Sequence, residues 1–411
     1  MASKSGIAAK SAVLEPNYAK AGSAPFSLET TSGSIPHRLA RYFAGGQDGQ
    51  SPVGIRVYLT IILLTYVPMY LAAVASGLPL AKPSMSLHLP FLYDVNVAFM
   101  FLVSFPVLIG IIVTDQEVLT SALRQVQLEK VLIMSRDAAQ GLRTRWERRF
   151  RAINVAAQVI GILTGITIAW WNYKVYVQAP VGFWAGPDGK LVSVGYVFLV
   201  CCAFCYAFVP LFIIRCLGFF FFLKDVVSKA ELHLLPFHPD RCGGLRSVGR
   251  IGMRNQYVLT FFGINVVLLI IVSFHYFNVP GYLASLIAAA VAAYLLFGPL
   301  VFIGPLLPFR AGMLQTKNLL MGEVAQRLRI ELERLRQKLP AGIIAKEDEE
   351  LIDRLRRIGA IIDELPVWPF DAGTLRKFLT AYIIPVLSAV AYPVGKAIFD
   401  WLVSKNLLPL G

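Results

Sequence analysis

Apolar residues in this chain gather into long, nearly unbroken runs. Six of them reach the roughly 20 residues that a helix needs to cross a bilayer: Ile55–Leu78, Val95–Val113, Ala152–Tyr173, Val194–Leu223, Val258–Phe277 and Tyr282–Leu307. A seventh, Phe378–Val394, is shorter and contains Pro385 and Pro393. It reads either as a further span or as a helix lying on the membrane surface. Between residues 308 and 377 the pattern changes. Met321, Val324, Leu328, Leu332, Leu335 and Leu339 recur at three and four, as do Leu351, Leu355, Ile358, Ile362 and Leu365, with Pro340-Ala341-Gly342 between the two sets. This predicts two amphipathic helices folded as an antiparallel hairpin or coiled coil. The expected fold is all-α, a multi-pass transmembrane helical bundle of six or seven spans (51–310) with a cytoplasmic helical hairpin (311–370) and a C-terminal apolar segment (371–411). Residues 1–50 are rich in Ser, Ala, Gly and Lys and lack an apolar face, which predicts a disordered tail. The first apolar run begins only at residue 55, so no cleavable leader of the usual form is expected.

Composition agrees with lipid as the solvent. Only 16% of residues are charged and the mean hydropathy is +0.61, whereas a soluble domain carries about a quarter charged residues. The net charge of +14 would suggest nucleic acid in a soluble protein. Here its position argues otherwise. Lys and Arg number six in the segment through Arg56, eight in 114–151, six in 224–254 and thirteen in 308–377, while the intervening connections hold only Lys82, Lys174 and Lys190. Such alternation follows the positive-inside rule and places the N-terminus and the 308–377 segment in the cytoplasm. The partners expected are therefore membrane lipid and further copies of the chain, with an ion or small solute as cargo and no nucleic acid. Cys201, Cys202, Cys205 and Cys216 lie inside the fourth run and read as small hydrophobes rather than metal ligands. No cofactor is expected.

The densest chemistry lies in "LLPFHPDRCGGLRSVGR", Leu234–Arg250, which the charge pattern places on the cytoplasmic side. Metal binding by His233, His238 and Cys242 is one reading, but Pro236 and Pro239 forbid the regular helix that His-x4-His spacing would use. Acid–base chemistry by His238 and Asp240 is a second, with no nucleophile or oxyanion site attached. A third is an anion or lipid-headgroup site, with Gly243, Gly244, Gly249 and Gly252 freeing backbone amides and Arg241, Arg246, Arg250 and Arg254 supplying charge. The plain alternative is a turn between two helices, built by Pro-Asp and Gly-Gly. The chain holds no GxxxxGK[ST], HExxH or GxSxG motif, so no catalytic residue is assigned.

His238-Pro239-Asp240 followed by Gly243-Gly244-Leu245 resembles a loop of uncharacterised bacterial multi-pass inner-membrane proteins. "LPVWPFD", Leu365–Asp371, is similar to the segment before their last apolar helix. The resemblance implies a bacterial inner membrane and no known activity.

Polar groups inside the spans complete the picture. Asn265 is expected to make an interhelical hydrogen bond, and Gly161-x3-Gly165 to pack one helix closely on another. Arg215 lies in the 30-residue fourth run: with Phe219–Phe222 in lipid it is more than one helical turn deep, and with them in a cytoplasmic bundle it is at the headgroups, the placement preferred because arginine snorkels readily. Gly298-Pro299, Gly304-Pro305 and Pro308 predict a kinked sixth helix. Thr380, Ser388, Tyr392 and Lys396 recur at multiples of four, with Asp400 in reach of Lys396. Broken helices with such stripes line transport pathways. The expectation is thus a homo-oligomeric channel or permeation protein, with Arg215 and the stripe on its path. The alternative is a non-conducting sensor or scaffold that binds an anionic ligand, lipid or protein at the cytoplasmic loop.

Overall fold

The computed structural model describes residues 53–77, 89–174, 183–186, 190–235, 238–276, 281–338 and 346–404. The segment 1–50 and Pro340-Ala341-Gly342 lie outside the described residues. The described residues are all-α apart from one two-residue strand pair and an isolated bridge. Among the described residues, six helices are long and apolar enough to cross a membrane.

The first five helices are α1 (Val53–Ala75), α2 (Val95–Leu128), α3 (Arg136–Asn172), α4 (Ser193–Lys229) and α5 (Arg246–Tyr276). The sixth apolar stretch is α6 (Gly281–Ile303), which passes through a tight turn at Gly304–Leu306 into α7 (Leu307–Lys338). Then come α8 (Lys346–Asp363) and α9 (Ala372–Ser404). α8 lies along α7, with Lys338 paired to Asp348 at 2.8 Å at one end and Lys317 to Asp363 at 3.0 Å at the other. The strands β1 (Leu132–Ile133) and β2 (Glu231–Leu232) tie the connection after α2 to the one after α4.

The buried residues form two apolar cores. The larger one holds the outer parts of α1 and α2 with Phe198, Cys202, Phe212, Val258 and Phe302. The second lies at the end that carries the basic connections and gathers Trp146, Phe150, Phe219, Phe222, Leu245 and Phe309. The length of the fourth apolar run follows from this division. Its last turns belong to the second core, where Phe150 packs on Phe219 and Phe222 at 5.7 and 6.1 Å. From Ser193 to Arg215 alone the helix rises about 33 Å, already a bilayer core.

α3 and α4 meet through glycine. A methyl at Gly161 would stand 2.3 Å from the carbonyl oxygen of Ala207, and one at Gly165 would stand 2.1 Å from that of Ala203. The backbones approach this closely because the expected small-residue seam is there. Asn265 likewise donates across helices, to the carbonyl of Asn96 at 3.2 Å.

Prolines shape the remaining contacts. Each proline inside a helix frees the carbonyl four residues before it, and in lipid that oxygen needs another donor. At four of these prolines a neighbouring helix supplies it. Pro106 frees Leu102, next to a π-turn at Met100–Ser104, and the Tyr58 hydroxyl of α1 donates to it at 2.6 Å. Pro305 frees Val301, which accepts from the Asn255 amide at 3.2 Å. Pro299 of α6 frees Leu295, which accepts from Tyr382 of α9 at 2.8 Å, and Pro385 of α9 frees Ala381, which accepts from Tyr294 of α6 at 3.3 Å. The last two are reciprocal. The kinks of the sixth and last apolar helices are therefore bound to each other.

Candidate functional site

The Leu234–Arg250 stretch folds around its own carboxylate. Asp240 accepts the backbone N–H groups of Cys242 at 2.8 Å, Gly244 at 3.1 Å and Arg246 at 3.2 Å, and its Oδ1 lies 2.7 Å from Nδ1 of His238. Asp240 thereby caps the start of α5, which begins at Arg246. Burial alone would raise its pKa, but these donors outweigh burial and hold it below the usual carboxylate range. Arg241, Gly243 and Gly244 take positive φ of 56°, 65° and 89° to wrap the chain around it. The amides that glycine was expected to free for a ligand are occupied in part by the protein's own anion. The side chains of Arg241, Arg246 and Arg250 remain exposed. Cys242 is fully buried, and burial pushes its thiol up to about 12. His233 lies 3.6 Å from Glu231, and no group of three metal-ligating side chains occurs among the described residues.

The second sequence motif packs against the first. Pro366 lies on Gly243 and the Pro369 carbonyl on Gly249. Between them opens a cleft of about 200 Å³ that His238, Arg241, Ile361 and Glu364 help to line. Asp371 accepts from the Thr374 amide at 3.0 Å and so caps α9.

α9 runs beside α5 in the same direction, since Thr374 meets Met253 and Pro385 meets Gly263. It is antiparallel to α6, with Phe378 stacked on Phe302 at 4.0 Å and Tyr382 on Tyr294 at 5.4 Å. The opposite side of α9 is uncovered: Leu379, Ile383, Ile384 and Leu387 are 42–61% exposed. Thr380 and Ser388 turn their hydroxyls to their own helix, onto the carbonyls of Arg376 and Ile384. The side chains of Tyr392, Lys396 and Asp400 lie outside the described residues.

The structure corrects the placement of Arg215. Rather than snorkelling to the surface, it is 1% exposed and faces the carboxylate of Asp115 at 3.8 Å. Its Nη1 donates to the Ile112 carbonyl at 3.2 Å, and the Phe219 ring lies 5.8 Å away. Arg254 turns inward to the same carboxylate at 3.5 Å and donates to the Ile111 carbonyl at 2.7 Å and to Thr114. This cluster joins α2, α4 and α5 at the boundary between the two apolar cores. Arg215 thus shares neither helix nor partners with Thr380 and Ser388. Asp115 is the functional candidate that sequence reading passed over, because it stands two residues beyond an apolar run and looks like a loop charge. The available signal was its register: Asp115, Arg215 and Arg254 all end stretches of about 20 residues measured from the opposite side of the bundle.

Comparison with family models, with curated proteins and with solved structures finds no match.

Proposed function

We propose that the protein is a seven-span inner-membrane protein, its basic end in the cytoplasm, that works as a homo-oligomeric permeation protein with α9 at the seam between subunits. One observation carries the reading: α9 is half packed. Phe378, Tyr382 and Pro385 bind it to α5 and α6, while a continuous face from Leu375 to Leu387 is left uncovered by the described residues. Its direction beside α5, itself long enough to span, supports a crossing rather than a surface helix. The reciprocal Pro–Tyr bonds support kinked sixth and seventh helices acting as a unit, as expected of helices that border a pathway. The ion pairs at both ends of α7 and α8 support the hairpin, which would gather subunits below the membrane.

The experiment places a cysteine at Thr380. The five native cysteines are buried, so a thiol cross-linker in intact membranes reads the new site. The expected results are a cross-linked homo-oligomer, a current in planar bilayers, and block of that current by a charged thiol reagent. No current from verified, inserted wild-type protein would remove the permeation reading. It would promote the sensor or scaffold reading, for which the cleft beside His238, Arg241 and Glu364 is the specific support.

A further inference from the structure

The Asp115 cluster is unbalanced. Among the described residues two guanidinium groups face one buried carboxylate, and the other acid that acts on Arg254, Glu117, is exposed. The contacts are also loose. At 3.8 and 3.5 Å the carboxylate stands beyond the 2.7–2.9 Å of a direct charge-assisted hydrogen bond. At such separations the carboxylate satisfies the guanidinium donors only in part. Most telling, Nη2 of Arg215 is fully buried and has no hydrogen-bond partner among the described residues. A buried donor of a charged group without an acceptor is among the least tolerated features of an interior. Arg215 is sealed, whereas Arg254 is 17% exposed, so the cluster is reached from the Arg254 side. Cys216 adds no charge balance, because its sulfur already accepts from Asn255 at 3.6 Å.

We propose that this cluster is a binding site for one small monovalent anion of halide size, held between Nη2 of Arg215 and the guanidinium of Arg254. The anion completes the charge of the two arginines and accepts the orphaned donor. The same cluster joins α2, α4 and α5, so occupancy stabilises the contact between the two cores. The site is independent of any pathway along α9. Its size class follows from what is offered: one sealed N–H group of Arg215 and a largely buried second guanidinium suit a monatomic anion rather than a phosphate ester, which would need several donors.

The test is thermal unfolding of the full-length protein in detergent, with bromide or chloride titrated into a gluconate background of constant ionic strength. Wild type is expected to show a saturable rise in Tm. Asp115→Asn leaves both arginines without a carboxylate and is expected to lower the half-saturating bromide concentration at least about tenfold. Arg215→Gln is expected to lose the saturable response. The opposite signs separate anion binding from a general loss of folding, and the Asp115→Asn arm stands if Arg215→Gln does not fold. Crystals in bromide should show anomalous signal between the two arginines. Responses to bromide that match those to gluconate in both wild type and Asp115→Asn would overturn the site and leave a water-served ion pair.

Discussion

At the scale of single residues, the buried Asp94 and the half-buried Asp240, at opposite ends of the bundle, respond to pH in opposite ways. Asp94 accepts from the Val97 amide at 2.9 Å and from Trp184 Nε1 at 3.0 Å. Burial outweighs these donors and raises its pKa to about 6. The folded protein therefore holds this proton more firmly than the unfolded chain. Its contribution to stability is full below pH 3.8 and is lost as pH climbs through about 6, to a total on the order of 3 kcal/mol. Asp94→Asn is expected to flatten the fall in Tm over that window, and an unchanged slope would place the titration elsewhere. Asp240 has a lowered pKa, so its contribution is present above the ordinary carboxylate range and is lost only in stronger acid. Asp240→Ala removes the acceptor of three backbone amides and the cap of α5, at a cost of about 1–3 kcal/mol. With the loop unclasped, Cys242 should become reactive to a thiol reagent, as peptide mass spectrometry would show. A thiol that stays protected would mean that packing against Leu365–Asp371 holds the loop without Asp240.

At the scale of elements, proline carbonyls and their donors decide how α6 and α9 meet. Tyr294 and Tyr382 each answer the proline of the other helix, and their rings stack at 5.4 Å. Tyr294→Phe and Tyr382→Phe keep the stacking and remove one hydroxyl each. Each is expected to cost about 1 kcal/mol, in line with interhelical hydrogen bonds in membranes. In a double-mutant cycle the two losses should be non-additive, because the residues touch. Thermal melts in detergent of the four proteins measure this, and strictly additive losses would mean two independent ties rather than one joint. The run of apolar residues in each helix was plain from sequence, and so were the kinks. Their mutual capping was not, since neither tyrosine is near the proline it serves in the chain.

At the scale of the whole molecule, orientation rests on the basic connections. Arg250 is exposed near the start of α5, whereas Cys242 is buried and would escape a reagent on either side. Arg250→Cys is therefore the informative probe. In intact cells it is expected to resist an impermeant thiol reagent and to react after permeabilisation. Labelling in intact cells would invert the proposed topology and, with it, the placement of the α7–α8 pair.

The sequence by itself determined the solvent and the class of fold. Long apolar runs cannot be hidden in any small soluble core, and within lipid a helix alone satisfies its own backbone. It also determined local devices whose partners are close in the chain: the Gly161-x3-Gly165 face, the proline kinks, and the turn built on Asp240. Only the tertiary structure decided which charges meet. Asp115, Arg215 and Arg254 are about 40 to 140 residues apart, and nothing in local pattern distinguishes them from loop charges or a snorkelling arginine. Packing of α2, α4 and α5 brings them to one level and buries Arg215 and Asp115, with Arg254 at the open edge. There the energetics of a buried charge become decisive, and those depend on neighbours in space rather than in sequence.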